Sequence, residues 1–176
     1  IVAHEKVSLQ QLPVNSALTN VPQRVVTAGL LELNRSPQTG LIQKIHAETN
    51  VVSEEIAHSK TNITIKRLSA EVVDLNFSAV TNQIESAVAD KNVFVENIVQ
   101  ANGVEKKSEA MGGHAEYHAA SDNIELTNSP SALVDGHFIR DAQFFRWNLK
   151  TGIYSALKGV GSPVNPTNSL RDLIKP

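Results

Sequence analysis

The chain has 176 residues, no cysteine, and 16 Lys plus Arg against 18 Asp plus Glu. That length suits one domain with a sizeable core, and the balanced charge gives no overall pull toward nucleic acid or an anionic membrane surface, so no nucleic-acid partner is expected. The lack of cysteine excludes disulfides and thiolate chemistry and removes the commonest zinc ligand, and no stretch approaches the ~20 apolar residues of a membrane-spanning helix. The first ten residues, IVAHEKVSLQ, do not follow the basic-then-apolar plan of a signal peptide; a start other than Met is compatible with a signal or anchor removed earlier.

Residues 1–24 read as a lead-in segment in which Pro13 and Pro22 block any long helix and which can lend one edge strand. From Val25 the chain repeats itself. Laying Thr27–Ile56 over Ser69–Ile98 without a gap gives eleven identities in thirty positions: Ala28/Ala70, Leu33/Leu75, Asn34/Asn76, Ser36/Ser78, Thr39/Thr81, Ile42/Ile84, Ala47/Ala89, Asn50/Asn92, Val51/Val93, Glu54/Glu96 and Ile56/Ile98. A fixed 42-residue offset is how stacked supersecondary units look in sequence, because each unit buries its apolar face on a neighbour.

Two shorter copies follow, around Ala115-Glu116-Tyr117 and around Phe145-Arg146-Trp147. Every copy has the same parts in the same order. A short strand places Leu31 and Leu33, Val73 and Leu75, Ala115 and Tyr117, or Phe145 and Trp147 on one face at period two. A polar turn follows, at 35–40, 77–82, 118–123 and 148–152, and a returning strand opens on Ile42, Ile84, Ile124 or Ile153. The segments between copies, such as 92–95 and 131–139, are β-like and are expected to pair with the next unit. The polar run Asn102–Gly113 reads as a long loop, and the tail beyond Gly159 as extended and peripheral, with Ser169 placed to cap a helical turn through Leu170, Leu173 and Ile174.

No nucleophile elbow, phosphate loop or dinucleotide fingerprint occurs, and Gly112-Gly113 reads as turn or bulge chemistry. His114 and His118 with Glu116 and Asp122 would be the only metal proposal, but a two-histidine pair in a β-like run is better explained by exposed strand positions. The aromatic cluster Phe144, Phe145, Trp147 and Tyr154 suits either a filled interior or an apolar groove. Asp and Glu do not line up across the copies, as a carbohydrate-active β-helix enzyme would require. No catalytic residue, metal or cofactor is expected.

The order Ala-x-x-Φ-x-Φ, turn, Φ, then Ala-x-Gly and a further strand resembles the OstA-like repeat of the lipopolysaccharide-transport proteins. The likeness covers about residues 25–160 and is nearest over Gly113–Gly159, in Ile124-Glu125-Leu126-Thr127-Asn128, His137-Phe138-Ile139-Arg140-Asp141-Ala142 and Lys150-Thr151-Gly152; Ser69–Val93 is similar to the same element. Asn92 and Asn128-Ser129-Pro130 depart from the family's turns. The resemblance implies an all-β fold, a twisted, slightly open β-jellyroll of stacked antiparallel hairpins over 25–160, preceded by the lead-in and followed by a tail, 161–176. It implies a non-enzymatic periplasmic carrier that holds lipid A acyl chains, most similar to the LptA-type bridge, with LptC-type and LptD-type members open as alternatives. Its partners would be lipopolysaccharide, inner-membrane LptC-type and outer-membrane LptD-type domains, and further copies of itself, joined head to tail by edge strands.

A lipid with several acyl chains gains ~0.8 kcal/mol per buried methylene, so a carrier needs a continuous apolar trough. Leu31, Leu33, Ile42, Val73, Leu75, Ile84, Tyr117, Ile124, Leu126, Phe145, Trp147 and Ile153 are the residues expected to line it. Arg67, Lys106, Lys107, Arg140, Arg146 and Lys158 are the cations expected to meet head groups at its mouth. The competing expectation is a structural or adhesive β-repeat with a fully packed interior and no lipid.

Overall fold

The computed structural model describes residues 1–11, 22–81, 83–163 and 169–174. These form strands β1 (Val2–Gln11), β2 (Gln23–Arg35), β3 (Ile42–His58), β4 (Asn62–Phe77), β5 (Ile84–Ala101), β6 (Val104–His118), β7 (Asn123–Thr127), β8 (Ser131–Val134), β9 (His137–Arg140), β10 (Phe144–Asn148), β11 (Tyr154–Leu157) and β12 (Val160–Pro163), then helix α1 (Leu170–Leu173). Pairing is antiparallel in the order β1-β2-β3-β4-β5-β6-β7-β10-β11, with a branch from β6 through β8 and β9 to β12. The chain is all-β, and the sheet is open: β1, β11 and β12 each have one partner among the described strands.

The identities shared by the two long repeats have local causes. Ser36 Oγ accepts the N–H of Thr39, and Ser78 Oγ accepts those of Val80 and Thr81, so the paired Ser and Thr close the same turn twice. In the last hairpin Asn148 takes the serine's part, its Oδ1 accepting the N–H groups of Lys150 and Thr151 at 3.2 and 2.8 Å. The returning residue then accepts from the strand end, as Leu41 does from Ser36, Gln83 from Ser78 and Ile153 from Asn148, each at 2.8 Å.

Asn50 and Asn92 serve a second device. The pairs Thr49-Asn50, Lys91-Asn92 and Asn128-Ser129 all have φ between 53° and 69°, a left-handed region where Asn is tolerated better than most residues. They sit where the pairing register slips, between Glu48 and Val51 and between Asp90 and Val93. Such bulges bend and twist a strand. Aligned across neighbouring strands, they crease the sheet into two leaves. Leaf one holds residues 30–35, 42–48, 72–77, 84–90 and 114–118 with β7, β10 and β11; leaf two holds residues 23–28, 51–58, 62–70, 93–101 and 104–111 with β8, β9 and β12. At the crease on β6, a Cβ on Gly112 would lie 2.8 Å from the Thr127 carbonyl and one on Gly113 2.7 Å from Cβ of Asn128, so the Gly-Gly pair lets the two chains approach.

The inner faces of both leaves share one core, in which Leu33, Ile45, Val73, Leu75 and Trp147 of leaf one meet Val26, Val51, Ala70, Val93 and Val134 of leaf two. The crease also inverts the alternation on the even-numbered long strands. On β4 the inward residues are Val73 and Leu75 on leaf one but Leu68 and Ala70 on leaf two.

Two expectations change. Asn102–Gly113 is not a loop: only Asn102-Gly103, with φ of 52° and 76°, forms a two-residue hairpin turn, and Val104 onward pairs with β5. Asn-Gly is a strong signal for such a turn, and within the run only the residues just behind it, 104–107, are exposed strand positions. The tail is not peripheral either. β12 pairs with β9, and Leu170 is fully buried on the outer side of leaf two with Leu133 and Phe138, against Phe94, Met111 and Leu173. Ser169 does stand at the helix N-cap, but its side chain makes no cap bond; Glu109 accepts from the Leu170 N–H at 2.6 Å and from Ser169 Oγ at 3.2 Å. The lead-in does lend an edge strand, as expected: β1 pairs with β2 on both leaves and packs Val7 and Leu9 on the core. The expectations for Pro13, Asn82 and Pro166 lie outside the described residues.

Candidate functional site

Eleven of the twelve residues expected to line a trough lie on the inner side of leaf one. Leu31, Leu33, Val73, Leu75, Ile124, Leu126, Phe145 and Trp147 are buried, and Ile42, Ile84 and Tyr117 are half-buried against the same core. Ile153 is the exception and its inward placement is corrected. It precedes β11, its carbonyl closes the Asn148 turn, and its side chain is 72 % exposed.

Four of these residues, Leu75, Ile84, Tyr117 and Ile124, converge on an apolar cavity of about 100 Å³ between the leaves. Ala87 and Leu149 complete the leaf-one wall, and Ser53, Glu55, Lys66, Arg67, Leu68 and Val95 form the opposite wall from leaf two. Next to it, and sharing Glu55, Lys66, Ile84 and Tyr117, a wider opening of about 470 Å³ reaches Arg24, Ser121, Asp122 and Lys150. An apolar throat thus opens through a polar mouth.

Register builds that mouth. Arg24 pairs opposite Glu55, Glu55 opposite Lys66, and Lys66 opposite Asn97, so one row of polar side chains crosses leaf two just beyond its apolar layer. Arg24 Nε donates to Glu55 at 2.7 Å. Lys66 Nζ instead reaches across to the β6–β7 turn on leaf one, 3.1 and 3.3 Å from the two carboxylate oxygens of Asp122. Tyr117 Oη donates to the same carboxylate at 2.9 Å. Burial and the adjacent Asp122 push the phenol far above its ordinary value, so Tyr117 stays a donor.

Leaf-two lining residues and the mouth cations Arg24, Lys66 and Lys150 were not anticipated. A period-two count carried from Val73 and Leu75 points Arg67 inward, whereas the crease inverts the phase and turns Lys66 in. Arg67 contributes to the throat wall between Lys66 and Leu68, but its guanidinium is held by Glu54 and Glu96 on the outer face. Lys107 is outer too, 2.8 Å from both Glu96 and Glu109; burial alone would lower its pKa, but the two carboxylates raise it. Arg140 lies beside Asp141, Arg146 is paired with Glu125, and Lys106 and Lys158 are exposed. None of the six cations expected to meet head groups has its side chain at the mouth.

The outer face of leaf one carries a histidine ladder. His46 lies 3.0 Å from Glu48 and 3.1 Å from Asp74, and His114 lies 2.7 Å from Asp90 and 3.3 Å from Glu116. The Glu48 and Asp90 contacts lead in raising the two imidazole pKa values above 6.5. A raised value means that the charged form stabilises the fold fully below the ordinary pKa and ceases to do so as pH climbs through the elevated one. Melting temperature is therefore expected to fall as pH rises above 6.5, and His46→Gln combined with His114→Gln should remove that part of the fall when melts are compared across the range. The same ladder accounts for His114 and Glu116, and Asp122 belongs to the mouth; no metal-holding cluster occurs among the described residues.

A sheet folded into two facing leaves around an apolar interior, with its edges left open, is an all-β architecture of LptA-like fold. One solved structure similar to it is LptH of Pseudomonas aeruginosa, the LptA-homologous periplasmic component of the lipopolysaccharide transport device: TM-score 0.55, 13 % identity, 76 % of this chain and 80 % of that chain covered. No protein-family model matches the sequence, and no curated protein does. No helix among the described residues is long and apolar enough to cross a membrane.

Proposed function

We propose that this chain is a non-enzymatic periplasmic carrier that takes acyl chains of lipopolysaccharide between its two leaves and hands the lipid on toward the outer membrane. The observation that carries the reading is the apolar throat, walled by Leu75, Ile84, Ile124 and Leu149 on one leaf and Leu68 and Val95 on the other, opening through a charged mouth. The fold shared with LptH supports it.

The open edges support hand-over. β1 at one end, and β11 and β12 at the other, leave backbone donors and acceptors unpaired among the described strands, and Val2, Leu157 and Val160 stand exposed there. Such edges accept a strand from another chain. We place further copies of this chain, LptC-type domains and LptD-type domains on them, in head-to-tail order.

The tight seating of Leu126, Phe145 and Trp147 and the small throat favour the second reading, a structural or adhesive β-repeat with a fully packed interior and no lipid. An organic extract of the purified protein, analysed by mass spectrometry, separates the two. Acylated saccharolipid in the extract is the expected result; an extract free of acylated species favours the structural or adhesive reading.

A further inference from the structure

The carrier reading leaves open how the throat admits a chain. At about 100 Å³ it falls below the ~300–1,000 Å³ of ordinary ligand pockets, so the leaves must part for a long acyl chain to enter. At the mouth, an ion pair joins the leaves among the described residues, from Lys66 on β4 to Asp122 in the β6–β7 turn, braced by Tyr117.

Resting on that reading, the geometry points to Lys66, Asp122 and Tyr117 as a latch that an anionic amphiphile opens by replacing the Asp122 carboxylate on Lys66 with its own head group.

Several features fit such an exchange. Lys66 and Asp122 side chains are 25 % and 20 % exposed, wet enough for a competing anion to reach them but shielded enough for the pair to hold. Lys66 stands at the rim of the throat, so a phosphate bound there would leave its alkyl chain directed at Leu68, Leu75 and Ile84. Asp122 has φ of 51° in a tight turn, where a small displacement of the tip releases the cation. Lys150, which also lines the mouth, has no ion-pair partner among the described residues, so positive charge remains to draw an anion in. An uncharged amphiphile must break the same pair with nothing to put in its place, leaving Lys66 and Asp122 both unpaired. Discrimination between anionic and uncharged head groups therefore follows from the latch itself.

The test measures binding of dodecyl phosphate and dodecyl maltoside to the full chain by titration calorimetry, both kept below their micellar concentrations. Wild type is expected to prefer dodecyl phosphate by about tenfold or more, the scale of one charge-assisted hydrogen bond. Lys66→Met should bring the two affinities within about threefold of each other, whereas Lys66→Arg, which keeps the charge, should retain the preference. Asp122→Asn, which suits the same turn conformation, should tighten dodecyl maltoside binding by about fivefold and keep dodecyl phosphate the better ligand. An unchanged preference in Lys66→Met, a lost preference in Lys66→Arg, or unchanged maltoside binding in Asp122→Asn overturns the latch. Equal binding of both amphiphiles by wild type also overturns it while leaving the carrier reading in place. Binding of neither defeats the carrier reading, and the latch with it.

Discussion

Val73→Asp is expected to abolish folding. Val73 lies at the centre of leaf one, 1 % exposed, between Ala47 and Ala89, which are 1 % and 2 % exposed. No cation lies opposite it in either register, so a carboxylate there must be buried unpaired or the strand must leave the core. Either course costs at least about 4 kcal/mol, a large part of the roughly 5–15 kcal/mol that holds a domain of this size together. The variant should appear in the insoluble fraction, or lack a cooperative urea transition if soluble. The same reasoning makes Leu33→Asp and Leu75→Asp, at 5 % and 3 % exposure, poor probes of ligand binding, because they test the core first.

The second large effect is Trp147→Ala. This tryptophan, 1 % exposed, sits between Ile124 on β7 and Tyr154 on β11, beside Phe145, which is wholly buried. Truncating it removes the largest side chain of the core, and the surrounding strands, fixed by their ladders, cannot close the cavity. The expected loss is about 3–5 kcal/mol in denaturant unfolding. Trp147→Phe should be far milder, near 1 kcal/mol, for a reason beyond size: the indole Nε1 has no hydrogen-bond partner among the described residues, so the replacement also removes a buried donor that gains nothing. Equal losses for Ala and Phe would count against this account of the packing.

Much of the fold was legible because the repeat wrote it twice. Ser36/Ser78 with Thr39/Thr81 build the turns, Asn50/Asn92 build the crease, Val51/Val93 are fully buried just beyond it, and Glu54/Glu96 share Arg67. Period-two alternation then placed Leu31, Leu33, Val73, Leu75, Phe145 and Trp147 on one face. The crease itself was the obstacle. A left-handed pair on one strand slips the register and inverts the phase on its neighbour, so a count begun on leaf one predicts the wrong face on leaf two. On β4 and β6 that inversion hides Lys66, Leu68 and Ala110 as inward residues, whereas on β5 Val95 keeps the phase of Ala87 and Ala89.

The remaining misses have separate causes. Ile153 belongs to a turn whose carbonyl, not its side chain, is used. Gly103, Lys106 and Lys107 made Asn102–Gly113 look like a loop, although exposed strand positions are equally polar and Asn102-Gly103 was the informative dipeptide. The docking of α1 depends on Glu109, which is 2 % exposed and 61 residues from the N–H it binds. No local pattern announces a contact of that range.

Site-directed photocrosslinking tests the central claim most directly. A benzophenone side chain placed at Ile84, half-buried on the throat wall, and another placed at Ile56, on the outer side of leaf two, should be compared during incubation with lipopolysaccharide. The account predicts a lipid adduct from position 84 and none from position 56; adducts from both alike, or from neither, would contradict it.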